Sequence, residues 1–159
     1  RSPAHAGEFM VDILQLMKVR DLMHLVRKVQ SIPEHMPFQE FKLFFSQTKQ
    51  HYFPVMDQDN RMVGIFSSTD VRSVLFAPEI EHLVVMRDIA TTDLVYTMAS
   101  EDLNTVLQKM TTKNIDSLPV VSEDDQRVLL GMLNRRDLIA FYNRQIRRLK
   151  AGGLGPRSG

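Results

Sequence analysis

The chain repeats itself, and this limits what it can fold into more than any other feature. Val19-Arg20-Asp21-Leu22-Met23 resembles Met86-Arg87-Asp88-Ile89-Ala90. Gly64-Ile65-Phe66 followed by Asp70-Val71 resembles Gly131-Met132-Leu133 followed by Asp137-Leu138. Both pairs are offset by 67 positions (87 − 20 and 131 − 64). Between them, Phe53-Pro54-Val55-Met56 matches Leu118-Pro119-Val120-Val121 at an offset of 65, so one loop loses two residues and a later hairpin regains them. Three matches in the same order define two structural copies, and a repeat of this kind must be read before single elements are.

Each copy predicts the same order of elements. A short helical turn carrying Arg-Asp leads into a brief extended stretch, Val29 to Ile32 or Leu94 to Met98. An amphipathic helix follows. Leu103, Val106, Leu107 and Met110 lie at i, i+3, i+4 and i+7, which makes one apolar stripe. Phe38, Phe41, Phe44 and Phe45 do the same in the first copy, with Pro37 at the helix start. Two hairpins come next, Tyr52 to Met56 with Arg61 to Phe66, and Leu118 to Ser122 with Arg127 to Leu133. Their polar turns are Asp57-Gln58-Asp59-Asn60 and Glu123-Asp124-Asp125-Gln126. A second helix closes each copy, Ser68 to Phe76 and Arg135 to about Leu149. One copy cannot bury both helices and a small sheet alone, so the expected fold is α+β, two βαββα repeats packed sheet to sheet as one module. The repeats divide the chain into 10–82, with a helical lead-in, and 83–150. Residues 1–9 read as a cloning remnant and 151–159 as a flexible tail, which implies a longer natural chain.

Composition removes several function classes. Without cysteine there is no disulfide, thiolate nucleophile or cysteine-ligated zinc. A net charge of +1 gives no bulk field for nucleic acid. No apolar run approaches the ~18 residues of a membrane span. Only Gly64 and Gly131 lie in the body of the chain, so no glycine-rich phosphate loop can form. The five histidines show no i, i+4 pair, which argues against a metal site. No nucleophile–base pair is anchored by a motif, so the chain does not read as an enzyme.

The order of elements, with Phe53-Pro54-Val55-Met56, Leu118-Pro119-Val120-Val121 and the Gly-x-x-x-x-x-Asp spacing, resembles the cystathionine-β-synthase (CBS) domain present twice, as a Bateman module. The likeness runs from about Leu16 to Tyr142. Leu75-Phe76-Ala77-Pro78-Glu79, Val85 to Asp93 and Gly131 to Ile139 are most similar to the cytoplasmic CBS pair of bacterial ClC-type chloride channels and transporters. That resemblance implies a regulatory module binding ATP, ADP or AMP between its repeats. It also implies a homodimer and an attached membrane transport domain, on the cytoplasmic side of the cell membrane and with no nucleic-acid partner.

The same resemblance implies two clefts. In each, a carboxylate accepts both ribose hydroxyls, hydroxyls or a helix start meet phosphate, and backbone reads the adenine edge. The first cleft would use Asp70, with Ser67 at the hydroxyl position and Thr69 beside it, Thr91 from the other copy, and backbone at Ile115 and Asp116. The second would use Asp137, but with Asn134 at the hydroxyl position, Arg135 and Arg136 as basic neighbours, His24 at the place of Thr91, and Gln50 and His51 beside the base. Binding there is expected to be weaker, altered or absent.

A plainer reading competes. Ser67-x-x-Asp70 and Asn134-x-x-Asp137 both look like helix N-cap boxes, in which an acid complements the helix dipole. The Phe cluster reads as core or as a dimer face. Arg144, Arg147, Arg148 and Lys150 read as a solvated last turn matched to the dipole, or as a contact with an anionic membrane surface. The rival functions are a ligand-free dimerisation scaffold and the regulatory part of a soluble enzyme.

Overall fold

The computed structural model describes residues 10, 12–74 and 77–152, excepting the side chains of residues 72 and 73. The segments 1–9 and 153–159 lie outside the described residues, as do Leu75 and Phe76. Two three-stranded sheets form, each with a parallel pair and an antiparallel pair. The first contains β1 (Ile32–Pro33), β2 (Tyr52–Met56) and β3 (Met62–Ser67). The second contains β4 (Thr97–Met98), β5 (Ser117–Val121) and β6 (Leu129–Asn134). The helices are α1 (Phe38–Phe45), α2 (Met86–Ile89), α3 (Leu103–Lys113) and α4 (Arg135–Ala151). The α+β class and the paired repeats are therefore as the duplication implies. The register repeats down to its defect, because a bulge falls between Val55 and Met56 in one sheet and between Val120 and Val121 in the other.

The proline of each Pro-Val motif has a structural reason. Pro54 stands opposite Ile65, and Pro119 opposite Met132. A proline there offers no N–H to the ladder. Its opposite residue correspondingly turns its N–H and C=O outward. Ile65 exchanges both bonds with Thr91 (2.9 Å each), and Met132 exchanges both with Arg27 (2.7 and 2.9 Å).

Those two bonds are part of an exchange between the repeats. The leading turn of copy one, Val19–Leu25, clasps copy two, and the leading turn of copy two clasps copy one. Val19 and Arg20 donate to Glu101 and Ala99, while Met86 and Arg87 donate to Met36 and Glu34, all at 2.9 Å. Leu103 donates to Met17 at 2.9 Å and Phe38 to Val84 at 2.7 Å. Asp21 and Asp88, the repeated acids of the Arg-Asp motif, brace these turns by accepting the N–H of Lys18 and Val85 at 2.9 Å. Each core is accordingly mixed. Val19 and Leu22 are buried with Leu103, Val106, Met110 and Leu118. Met86 is buried with Ile32, Phe38, Phe41, Phe53 and Phe66. Phe41 meets Phe53 and Phe66 edge-on, with centroids 5.1 and 5.3 Å apart, so the Phe cluster is core.

The second helix of copy one differs from expectation. Ser68–Ser73 is a short 3-10 stretch, not an α-helix. Serine and aspartate favour caps and turns, and β-branched side chains lose rotamer freedom in a helix, whereas α4 carries five Arg, two Leu and two Ala. The extended stretches shorten to the two-residue strands β1 and β4. At the far end the sheets meet around Met56, Met62 and Val121. There Met62 donates to the carbonyl of Arg127 at 2.8 Å, and Arg61 pairs with Asp125. The Asp125 carboxyl is held below its ordinary pKa first by the N–H of Arg127 and then by Arg61.

Two predictions follow from the clasp and from the cap of α3. A Cβ at Gly131 would lie 2.6 Å from Val26 Cγ1 and 2.9 Å from the Arg27 carbonyl, while one at Gly64 would lie 3.0 Å from the Thr91 carbonyl. Gly131→Ala should therefore lower the unfolding free energy by about 1–3 kcal/mol in urea titrations, and by more than Gly64→Ala. Asp102 accepts from Thr105 N (3.0 Å) and Thr105 Oγ1 (2.7 Å) at the start of α3. Burial pushes its pKa up, but these hydrogen bonds and Lys18 outweigh it, and the net direction is down. A carboxyl depressed on folding stabilises above its unfolded pKa, about 3.9, and loses that contribution as pH falls through the folded value. Asp102→Ala should cost about 0.5–2 kcal/mol at pH 7, and the gap to the parent should narrow below pH ~4.

Candidate functional site

The first cleft is built where β3 ends. Ser67 leaves the sheet and Asp70 turns back, accepting the Ser67 N–H at 2.9 Å. The Ser67 and Thr69 hydroxyls lie 2.8 Å apart. Asp70 is half-buried and Thr69 is exposed. Two segments of the other repeat are brought to this turn. Thr91 arrives through its backbone pairing with Ile65, two residues before Ser67. Asp116 arrives through Tyr52, the register partner of Ser67, whose hydroxyl accepts the Asp116 N–H at 3.0 Å. Ile115 packs its side chain against the second core, and its N–H bonds the Met110 carbonyl at 2.9 Å. The Asp116 carbonyl accepts from Arg135 at 2.7 Å. Thr91 and Asp116 are thus tied to the strand pair that ends at Ser67, Thr91 through Ile65 and Asp116 through Tyr52.

The second cleft is built from the matching positions with different side chains. Ser117 donates from Oγ to Asn134 Oδ1 at 3.0 Å, so the Asn134 side chain turns toward the sheet instead of capping α4. The N-cap reading consequently describes the acid of Ser67-x-x-Asp70 but not Asn134-x-x-Asp137. Asp137 instead accepts a fork from Arg27, from Nε to Oδ2 at 3.1 Å and from Nη2 to Oδ1 at 3.3 Å. The Asp137 side chain is 15% exposed and that of Arg27 64%. Arg136 is exposed, and Arg135 donates from Nη1 to Thr111 Oγ1 at 3.0 Å.

The place of Thr91 in this cleft belongs to Arg27, not to His24. Ile65 with Thr91 and Met132 with Arg27 are matched pairings, since 65 and 132 differ by the repeat offset of 67. The leading loop runs six residues from Asp21 to Arg27 but three from Asp88 to Thr91, and a constant offset misplaces the match onto His24. His24 lies edge-on to Phe141, with ring centroids 6.3 Å apart. Gln50, expected beside the base, is held by Gln30, accepting its N–H at 3.1 Å and donating to its carbonyl at 2.7 Å. His51 faces the first-copy turn, with Nδ1 3.2 Å from Ser68 Oγ. Sequence reasoning also missed Tyr52, which reads as an ordinary strand residue.

A cavity of about 350 Å³ lies beside the first-copy turn, between Phe45, Lys49, Gln50, His51, Ser68 and Thr69. Among the described residues, no group of three or more His, Asp or Glu side chains is placed to hold a metal ion. No helix among them is long and apolar enough to cross a membrane.

Comparison with known proteins bears on the fold. The family model for the CBS domain matches residues 19–77 and again 86–144. A 33.4 kDa uncharacterized protein in a ribosomal RNA operon of Thermofilum pendens is 32% identical over 100 residues, which cover 62% of this chain and 32% of that protein. Inosine-5′-monophosphate dehydrogenase of Methanocaldococcus jannaschii is 26% identical over 110 residues, covering 65% of this chain and 21% of the enzyme. The chain thus spans about a third or less of these curated relatives. Among solved structures, a CBS domain pair in complex with 5′-methylthioadenosine and S-adenosyl-L-methionine superposes with a TM-score of 0.61 at 21% identity, over 81% of this chain and 98% of that one. CBSX2 in complex with AMP gives 0.66 at 21% identity, over 83% and 99%. The CBS domain of a bacterial CNNM/CorC family Mg²⁺ transporter gives 0.66 at 16% identity, over 82% and 78%. At these identities the likeness is one of fold. With both repeats matched by the family model and the exchanged leading segments joining them, the chain belongs to the CBS-domain family, as a tandem pair.

Proposed function

We propose that this CBS pair is a regulatory sensor that binds an adenine nucleotide in the first cleft and passes the binding event to an attached membrane transport domain. The observation that carries the reading is the convergence on Ser67–Asp70, where Thr91 arrives through Ile65 and Asp116 through Tyr52. Asp70 would accept the ribose hydroxyls, Ser67, Thr69 and Thr91 would offer hydroxyls to phosphate, and Ile115 and Asp116 would flank the base. Two kinds of support stand beside the geometry. The similar structures named above include CBS pairs holding AMP, 5′-methylthioadenosine and S-adenosylmethionine. The sequence around Ala77-Pro78-Glu79 and Asn134-Arg135-Arg136-Asp137 resembles the CBS pair of ClC-type channels and transporters.

In this reading the module regulates and does not catalyse, and it sits on the cytoplasmic face as a homodimer. Leu43 (67% exposed) and Leu83 (68%) are apolar side chains a second copy could cover. Nucleotide shifts the position of the repeats or protomers only to the extent that it binds the two states unequally.

Calorimetric titration with ATP, ADP and AMP, with and without Mg²⁺, tests the reading. Saturable binding near one site per chain should disappear in Asp70→Ala and survive in Asp137→Ala. Folded, nucleotide-free protein giving no heat at millimolar nucleotide would leave a dimerisation scaffold whose acids only brace the chain.

A further inference from the structure

We propose that Arg27 is the residue that closes the second cleft to a nucleoside, by occupying the carboxylate edge of Asp137 that a ribose would need. The inference deepens the functional reading above and rests on it for the identity of the ligand.

A ribose presents two neighbouring hydroxyls, and a carboxylate recognises them by accepting one on each oxygen. The Arg27 guanidinium makes that same pattern of contact, with Nε–H on Oδ2 at 3.1 Å and Nη2–H on Oδ1 at 3.3 Å. Planar bidentate contact of this kind is the arrangement in which arginine and carboxylate are best matched. Both oxygens of Asp137 are therefore engaged by Arg27, and a ribose using that same edge would have to displace it.

Arg27 cannot drift away with its loop, because the clasp fixes its backbone. Its N–H and C=O are both bonded to Met132, at 2.9 and 2.7 Å. Gly131 admits the crossing chain, with the Arg27 carbonyl 2.9 Å from where a Cβ would be. The matched residue at the first cleft is Thr91, whose backbone is held by Ile65 in the same way but whose side chain is too short to form a fork. Of the side chains that differ between the clefts, Arg27 in place of Thr91 is the one that engages the acid of the second cleft. A nucleoside entering the second cleft must first displace both hydrogen bonds of this internal competitor, an ion pair with a 64% exposed arginine, which should weaken it several-fold.

The test is calorimetric stoichiometry with AMP and ATP on the whole chain carrying Arg27→Thr or Arg27→Gln, with urea unfolding to show that each variant folds. The exchange of backbone bonds with Met132 does not involve the side chain, so both variants should fold. The expected result is one site per chain in the parent and two in Arg27→Thr, the second lost when Asp137→Ala is added. A single site in the parent and in both folded variants overturns the role of Arg27 and leaves the first-cleft reading standing. No site in the parent but one in Arg27→Thr, abolished by Asp137→Ala, sinks the first-cleft reading and upholds the role of Arg27. No binding in any variant overturns both.

Discussion

The crossing of the two leading segments is the contact on which the rest of the molecule depends. Each segment leaves its own repeat, lies against the outer strand of the other sheet, and donates its backbone to the loop before the other repeat's first helix. Several otherwise unrelated sequence features answer to this one crossing. Glycine is needed at 64 and 131 because another backbone passes there. Proline is tolerated at 54 and 119 because the residue opposite bonds outward to the crossing segment. Aspartate recurs at 21 and 88 because each brace holds the turn that crosses. The buried Val19, Leu22 and Met86 lock the exchange by completing the other repeat's core.

The exchange also makes the two clefts, and it makes them unequal. Each crossing segment delivers one side chain beside the acid that follows the outer strand. Copy two brings Thr91 against Ile65 by its backbone, two residues before Ser67, and copy one brings the Arg27 side chain onto Asp137. The backbone frame is the same in both, down to the bond from the second-helix start to the residue before the central strand (Ser68 to His51 and Arg135 to Asp116, 2.7 Å each). Differences in side chain therefore fall on a nearly symmetric backbone scaffold.

Much of this was legible in the residues. The offset of 67 located the leading turns and outer strands, and the offset of 65 located the central strands with their Pro-Val motif. The helical spacing of Leu103, Val106 and Met110 correctly marked the buried face of α3. What failed was local. A repeat offset assumes constant loop length, and the leading loop of copy one is three residues longer, so Arg27 was hidden behind His24. Periodicity cannot register hydrogen-bond geometry, so it could not show that Asn134 turns toward Ser117 or that Tyr52 reaches Asp116. At Ser68–Ser73 local propensity overrides the repeat, because serine, threonine and aspartate suit a turn better than a helix. The exchange itself leaves no trace in pattern, because hydrophobic spacing marks which residues are buried and not which repeat buries them.

On the function proposed above, the crossing segments leave the first cleft open to a nucleotide and fill the second with Arg27. Backbone amide shifts during titration of the folded chain with AMP and with ATP test it most directly, since they report each cleft separately. Saturating shifts are expected at Ser67–Asp70, Thr91 and Ile115–Asp116, with Arg27 and Asn134–Asp137 unmoved. Shifts centred on Arg27 and Asn134–Asp137, with the first group silent, would contradict it.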